Sequence, residues 1–208
     1  MNMQAPWTAA RWIVVDVEGN GQQPPDLVEL AAVPIIEGEV GEPRTWLVQP
    51  PRPITAMARK FHKISDEDIA DAPTLDAVAD QIAAELDGAV FVAHNAHVDL
   101  SVVQREIPGY SPALGVADTL KLSRRIIGGL DSYKLGSLVN AYALSDGLPA
   151  GLRPHRAEYD ALVCARLLRH LATMTTNPRT VGDLLTTMPE EDPSDEKSGD
   201  GDAATALF

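Results

Sequence analysis

A buried strand that ends in acidic residues is the feature that most constrains this chain. The run from Ile13 to Glu18 is dominated by valine and isoleucine, so Arg11 to Val17 is predicted to form a buried strand. Asp16 lies two residues before Glu18, which directs both carboxylates to the same face. Buried carboxylates are costly unless a positive charge meets them. This pattern indicates either a cation site or a solvated acidic pair at the end of a strand.

Hydrophobic periodicity predicts an α/β fold in which a mixed sheet is flanked by helices. The first three strands form a hairpin run and predict an antiparallel meander, whereas the later strands alternate with helices and predict parallel pairing. Pro34 inside the second strand favours an edge position or a bulge there. The further strands are predicted at 27–37, 45–49, 89–93 and 114–117, and the helices at 74–86, 98–106, 118–126, 133–144, 157–174 and 179–187.

Length and composition predict one domain with two short flanks. The 208 residues are 45% hydrophobic, enough for one well-packed core. We expect an N-terminal extension at 1–10, a folded domain at 11–188 and an acidic, disordered tail at 189–208. The first residues lack a signal-peptide pattern, and no apolar run is long enough to span a bilayer. The single cysteine, Cys164, excludes an internal disulfide framework and predicts a cytoplasmic protein without membrane attachment.

The net charge of −13 argues against tight, non-specific binding to duplex nucleic acid. Residues 189–208 hold seven acidic residues and one lysine, so the part before them carries a net charge of −7. Basic residues cluster at 59–63, 121–125 and 153–156, and each cluster is either a binding surface or an ordinary solvated face. Capture of a strand end by a metal site is compatible with this charge.

Two further polar groups follow the later elements. Asp99 falls in the first turn of a predicted helix, where the helix dipole alone favours an acid. His94 and Asn95 precede it in a strand-to-helix loop, a position that usually faces ligand. These positions add a second acidic group near the carboxyl end of a predicted strand.

His155 and Asp160 form the last group. On a continuous helix their spacing of five residues would place them about 140° apart. Pro154 marks a helix start, so His155 is predicted in the loop above the site while Asp160 points into it from the helix. Hard oxygen ligands without cysteine favour Mg²⁺ or Mn²⁺, and two such ions about 4 Å apart would support an in-line displacement. His155 is then the natural general base for the attacking water.

The three groups resemble the three exonuclease motifs of the DEDDh (DnaQ-like) 3′–5′ exonucleases, most closely the proofreading epsilon subunit of bacterial DNA polymerase III. The resemblance covers about residues 11 to 175 and places an exonuclease domain within 11–188. It implies a ribonuclease-H-like sheet and two divalent cations. It also implies a role for each of five residues: the metal ligands Asp16, Glu18, Asp99 and Asp160, and the general base His155.

The resemblance also indicates substrate-binding positions. In relatives, the segment after the first glutamate borders the 3′-terminal nucleotide, and here that segment departs from the usual threonine-rich form as Gly19 and Asn20. His62 lies in a shorter matching stretch, and His94 and Asn95 lie in the second motif. We therefore expect these five residues to contact substrate.

The predicted function is metal-dependent release of nucleoside 5′-monophosphates from the 3′ end of single-stranded or frayed DNA, with a replication or repair partner. Two alternatives remain open on the sequence. The first is an exoribonuclease acting on short RNA, because no residue decides recognition of the 2′-hydroxyl. The second is a non-catalytic nucleic-acid-binding module built on the same fold.

Overall fold

The computed structural model describes residues 1–175, 177 and 179–186. The predicted acidic tail lies outside these residues. The described part begins with a short 3-10 turn at Trp7–Ala9. The strands are β1 (Trp12–Gly19), β2 (Leu27–Ile36), β3 (Glu39–Val40), β4 (Arg44–Leu47), β5 (Val90–Ala93) and β6 (Val116–Asp118). The helices are α1 (Ala56–His62), α2 (Leu75–Leu86), α3 (His97–Glu106), α4 (Thr119–Ile126), α5 (Leu135–Tyr142), α6 (Ala157–Thr173) and α7 (Val181–Leu184).

The six strands form one mixed sheet in the order β3-β2-β1-β5-β6, with β4 also paired to β2. The β1–β2 pair and the pairs of β2 with β3 and β4 are antiparallel, whereas β1–β5 and β5–β6 are parallel. The predicted fold class, a meander joined to parallel strands and flanked by helices, is therefore confirmed. The carboxyl ends of β1, β5 and β6 meet at one edge of the sheet, where α/β sheets place their ligands.

Alternation along β1 directs its side chains to two different hydrophobic layers. Trp12 and Val14 pack into a core that includes the buried face of α6, whereas Ile13 and Val15 pack into a core formed with α2 and α3. Asp16 continues the Trp12–Val14 series, because side chains two apart on a strand share a face. The first acidic residue is thus directed to the side of the sheet that α6 covers.

Most predicted elements are present within one or two residues of their predicted bounds, but three features differ. The short strand β3 (Glu39–Val40) lies between the predicted strands at 27–37 and 45–49 and was not among them. Helix α1 contains most of the basic cluster at 59–63, and the hydrophobic pattern of this short segment does not predict a helix. Strand β2 is not an edge strand, since it pairs with β1 on one side and with β3 and β4 on the other. Pro34 is tolerated because it lies between the residues of β2 that pair with β3 and those that pair with β4. Its carbonyl there accepts a hydrogen bond from Gly41.

The first ten residues pack against the domain. Trp7 is buried at 4% exposure, and its backbone N–H donates to the carbonyl of Arg179 at 2.9 Å. The N–H of Val181 in turn donates to the carbonyl of Ala5 at 2.9 Å. The ends of the described chain are therefore held together. Among the described residues, no helix combines the length and apolarity needed to cross a bilayer.

Candidate active site

Three carboxylates from distant parts of the sequence meet at the carboxyl edge of the sheet. Asp16 and Glu18 come from the end of β1, and Asp160 comes from the first turn of α6. One oxygen from each of the three lies within 4.8 Å of the others. Glu18 is buried at 4% exposure, while Asp16 and Asp160 are partly buried. A cluster of this size and chemistry fits a hard divalent cation.

Asp99 lies beside this cluster but outside the group of three. It sits in the first turn of α3, is buried at 3% exposure, and accepts a hydrogen bond through Oδ1 from the N–H of Val17 at 3.1 Å. Val17 separates the two acidic residues of β1. Through this hydrogen bond Asp99 helps to fix the end of β1. Its negative charge also raises the pKa of Asp16 and Glu18.

Burial and neighbouring negative charges make the four acids harder to ionise. Burial, followed by the charge of Asp160, raises the pKa of both Asp16 and Glu18 well above the ordinary carboxyl value. Burial also raises the pKa of Asp99 to about 8 and that of Asp160 to about 7. Carboxyl groups in such a site ionise together only when cations balance them. The donor set, all oxygen and all acidic, therefore fits Mg²⁺ or Mn²⁺.

His155 precedes α6, as the sequence predicted. Its backbone is in the left-handed region with φ of 61°, and its N–H donates to Oδ2 of Asp160 at 2.9 Å. Its ring packs edge-on against Phe61 of α1, with the ring centroids 5.8 Å apart and an interplanar angle of 76°. The backbone bond and the ring contact together hold the imidazole next to the carboxylate cluster.

A cavity of about 520 Å³ opens over these residues. One wall consists of β1, the loop after β5 and the start of α6. The other wall is α5 with Lys134 before it, and it presents Lys134, Ser137 and Asn140. The lining includes six of the predicted site residues: Asp16, Glu18, His94, Asn95, His155 and Asp160.

The His94–Asn95 loop is held in place from α4 and α5. His94 Nδ1 lies 2.9 Å from Oγ1 of Thr119, and its Nε2 lies 2.9 Å from the carbonyl oxygen of Tyr133. Asn95 has a φ of 69°, and its N–H donates to Oδ1 of Asp118 at 3.1 Å. Both residues reach the cavity, so substrate contact there stays a prediction with suitable geometry.

The side chains of Asn20 and His62 are fully buried and neither lines the cavity, so their predicted contact with substrate stays a prediction. Asn20 organises its own loop: its amide donates to Oδ2 of Asp26 at 2.7 Å, and its Oδ1 accepts from the N–H groups of Gln22 and Asp26. The Nδ1 of His62 accepts from the N–H of Ile64 at 3.0 Å. Burial lowers the pKa of His62.

Gly19 is also buried, at the end of β1, and does not line the cavity. Its predicted contact with substrate stays a prediction.

Sequence reasoning missed three features of the site. Glu29 on β2 is a buried acid that binds the start of α6, and its place within an apolar strand was the available signal. Asp118 caps α4 and holds the loop that carries Asn95. Nothing in the sequence marks the polar wall formed by α5 as part of a site, because its residues are ordinary for a helix surface.

A carboxylate cluster at the edge of a mixed sheet, with a histidine in the same cavity, defines the site of a divalent-metal hydrolase. Comparison with known proteins gives the family. The exonuclease family RNase_T matches residues 13–168, and the chain belongs to this family, within which its motifs are those of the DnaQ-like DEDDh 3′–5′ exonucleases.

Curated relatives agree with this assignment. The chain is 36% identical over 155 residues to Exodeoxyribonuclease 10 of Escherichia coli (strain K12), covering 74% of this chain and 66% of that protein. It is 35% identical over 159 residues to the 3′-5′ exonuclease DinG of Bacillus subtilis (strain 168), covering 74% of this chain and 16% of that protein. The chain thus spans just under two thirds of the first of these relatives and about one sixth of the second.

Solved structures confirm the ribonuclease-H-like exonuclease fold. Exonuclease X in complex with 5′ overhanging duplex DNA matches with a TM-score of 0.68 and 31% identity, covering 83% of this chain and 98% of that one. The nuclease domain of 3′hExo, a DEDDh family member bound to rAMP, matches with a TM-score of 0.65 over 82% of this chain and 96% of that one. Its 15% identity shows a shared fold alone.

Proposed function

We propose that this chain is an active 3′–5′ exonuclease that releases nucleoside 5′-monophosphates from the 3′ end of single-stranded or frayed DNA. The observation that carries the proposal is the meeting of Asp16, Glu18 and Asp160 within 4.8 Å, in a cavity that His155 also lines. A binding module without catalysis is the alternative class of protein. Such a module would not require buried acids that raise one another's pKa.

Asp16, Glu18, Asp99 and Asp160 would hold two divalent cations, which when bound polarise the scissile phosphate and stabilise the charge of an in-line displacement. His155 would accept the proton of the attacking water, because its imidazole lies in the same cavity as the carboxylate cluster. The hydrogen bond from its N–H to Asp160 ties this base to the carboxylate cluster.

The shape of the cavity supports capture of a chain end. Its volume of about 520 Å³ lies within the range of pockets that enclose one small ligand. On one side, His94 and Asn95 would contact the terminal nucleotide. On the other, Lys134, Ser137 and Asn140 offer a positive charge and polar groups to the sugar–phosphate backbone.

The preference for DNA is supported by the likeness to Exonuclease X, whose solved complex holds duplex DNA with a 5′ overhang. We extend the proposal to a replication or repair partner. A curated relative named DNA polymerase III subunit epsilon-like protein, from Rhodobacter capsulatus, supports it with 31% identity over 175 residues. That match covers 81% of this chain and 24% of the relative.

The test is digestion of 5′-labelled DNA and RNA oligomers of the same sequence, with Mg²⁺ or with EDTA. We expect Mg²⁺-dependent shortening of DNA from its 3′ end. Asp16→Asn should abolish it, and His155→Ala should lower kcat by roughly 10²- to 10⁴-fold, the usual contribution of a general base. Asp80→Asn, which removes an exposed acid on α2, is the matched control and should leave the rate unchanged.

Each alternative makes a different forecast. Faster digestion of the RNA oligomer would replace the proposed substrate with short RNA. Activity that survives Asp16→Asn would refute the metal assignment. A wild type that binds both polymers and shortens neither would support the binding module instead.

A further inference from the structure

Glu29 lies at the centre of a polar contact next to the active site. It sits on β2 directly across from Glu18 in the β1–β2 register, and its side chain is 2% exposed. Arg156 donates from Nε to Oε2 of Glu29 at 2.9 Å, and its terminal nitrogen also binds Oε1. The N–H of Ala157 donates to Oε2 of Glu29 at 2.9 Å. Both oxygens of this acid are therefore occupied by protein donors.

These donors belong to the start of α6. Arg156 is the N-cap residue and Ala157 the first residue of the helix. The carbonyl of Arg156 accepts from the N–H of Asp160 at 3.0 Å, and Asp160 in turn accepts from the N–H of His155. Two hydrogen-bonded contacts, both through Arg156, thus connect Glu29 to Asp160, and a third connects Asp160 to His155. An acid at a helix N-terminus is further favoured by the helix dipole.

We propose that Glu29 and Arg156 are positioning residues that set the first turn of α6 against β1, so that Asp160 and His155 meet the acids of β1 in a metal-binding geometry. The inference rests on the exonuclease function proposed above and adds two residues to it. Neither residue would touch metal or substrate. They act through the helix start.

The chemistry of the contact explains why Glu29 is not itself a metal ligand. The planar guanidinium of Arg156 engages the carboxylate with two donors, a geometry that lysine cannot reproduce. The backbone N–H of Ala157 takes up remaining acceptor capacity. A buried acid satisfied in this way is unavailable to a cation, yet removing its partner leaves an unpaired buried charge. The contact is therefore specific in its geometry and sensitive to substitution.

The experiment compares Glu29→Gln, Arg156→Gln and Arg156→Lys with wild type. Residues that orient metal ligands usually contribute 10- to 100-fold to activity or metal affinity. We expect Glu29→Gln and Arg156→Gln to lower kcat by about this factor, with KM for the DNA oligomer little changed. Arg156→Lys, which keeps the charge and one donor, should recover part of the loss. A second readout, Mn²⁺ affinity by isothermal titration calorimetry, should fall in the same order without requiring turnover.

Glu85→Gln is the matched control. Glu85 on α2 is also a largely buried acid, with a side chain 11% exposed, and it pairs with Arg11 and Arg44. Arg11 immediately precedes β1, at the end of that strand opposite the cluster. This control should lower the melting temperature and leave kcat and Mn²⁺ affinity unchanged.

The outcomes separate the two proposals. Loss of activity in Asp16→Asn tests the exonuclease function, whereas Mn²⁺ affinity tests the positioning role even if wild type degrades neither polymer. Wild-type kcat and Mn²⁺ affinity in Arg156→Gln would overturn the inference. It would also be overturned if Glu85→Gln lowered both readouts as much, because the effect would then be one of general stability. Should Glu29→Gln fail to fold, the two Arg156 variants decide the question, since that side chain is 32% exposed.

Discussion

Without divalent cations, the protein should become less stable as the pH rises from 5 to 8. Burial raises the pKa of Asp160 to about 7 and that of Asp99 to about 8, whereas in the unfolded chain both acids titrate near 3.8. Above that lower value the folded state retains protons that the unfolded state has released. The resulting stability is complete at low pH and is lost as the pH rises through the folded-state pKa values.

The size of the effect follows from the pKa of one group. A proton retained only by the folded state changes the free energy of unfolding by about 1.4 kcal/mol per pH unit. For Asp160 alone, titration at a pKa of about 7 gives a loss of about 2 kcal/mol between pH 5 and 7. In a chain of this length 1 kcal/mol shifts the melting temperature by about 2 to 4 °C, so we expect a fall of about 4 to 8 °C.

The assay is thermal unfolding in EDTA at pH 5, 6, 7 and 8, repeated with saturating Mg²⁺. Cations bind the deprotonated acids, so the stabilisation by Mg²⁺ should grow with pH and remove the downward trend. Asp160→Asn in EDTA should flatten the trend, because the titrating group is gone. The lowered pKa of buried His62 acts in the opposite direction below about pH 6.5, and subtracting the variant from wild type cancels that contribution.

Two results would refute this reasoning. One is a steady rise in the stability of the wild type in EDTA from pH 5 to 8, larger than the rise measured for Asp160→Asn under the same conditions. The other is an unchanged slope in the variant, which would mean that Asp160 does not hold its proton in the folded state. Either result would remove the electrostatic basis for placing cations at this cluster.

Three further substitutions test the neighbourhood of the site. Asn20→Ala should destabilise the protein by roughly 1–3 kcal/mol in urea unfolding, because the buried partners of its amide lose their hydrogen bonds. An unchanged unfolding midpoint would contradict the structural role given to Asn20. Gly21→Ala should cost more than about 1 kcal/mol by the same measurement, since φ is +75° and a Cβ would lie 2.2 Å from Oγ1 of Thr55. Phe61→Ala should lower kcat by up to roughly tenfold, the worth of one aromatic contact, by freeing the ring of His155. Phe61→Leu should lower kcat less, and equal losses would argue against the ring contact.

The clustered ligands could be predicted from sequence because strong periodic patterns carry them. Alternation along β1 places Asp16 and Glu18 on one face, and Pro154 separates His155 from the helix that carries Asp160. The remaining element of the site is the packing of α6 over that face of β1. This packing is expected because a long helix with an apolar face needs a sheet surface to bury it. The resemblance to the DEDDh exonucleases added roles to residues that local patterns had already grouped.

Polar residues that form hydrogen bonds only within the protein could not be recognised from such sequence patterns. Asn20 follows the first catalytic motif and His62 ends α1, and sequence alone gives no direction for a side chain at the end of a strand or helix. The structure directs Asn20 toward Asp26 and His62 toward the backbone of Ile64, contacts that depend on how each loop folds back. Glu29 was similarly ambiguous, because an acid within an apolar strand is equally compatible with a ligand and with a helix-start contact.

The proposed metal binding would be coupled to the packing of α6. Two of the three clustered acids, Asp16 and Glu18, lie on β1 and the third, Asp160, lies on α6, so without cations their negative charges oppose the approach of the two elements. The contact of Glu29 with Arg156 and Ala157 counters this repulsion at the start of α6. The hydrophobic layer between α6 and the sheet counters it along the rest of the helix. Weakening either should therefore lower metal affinity before it unfolds the domain, because the first turn of α6 carries Asp160 and faces the acids of β1. A divalent cation held by Asp16, Glu18 and Asp160 would stabilise the same turn, which directly follows the proposed general base His155.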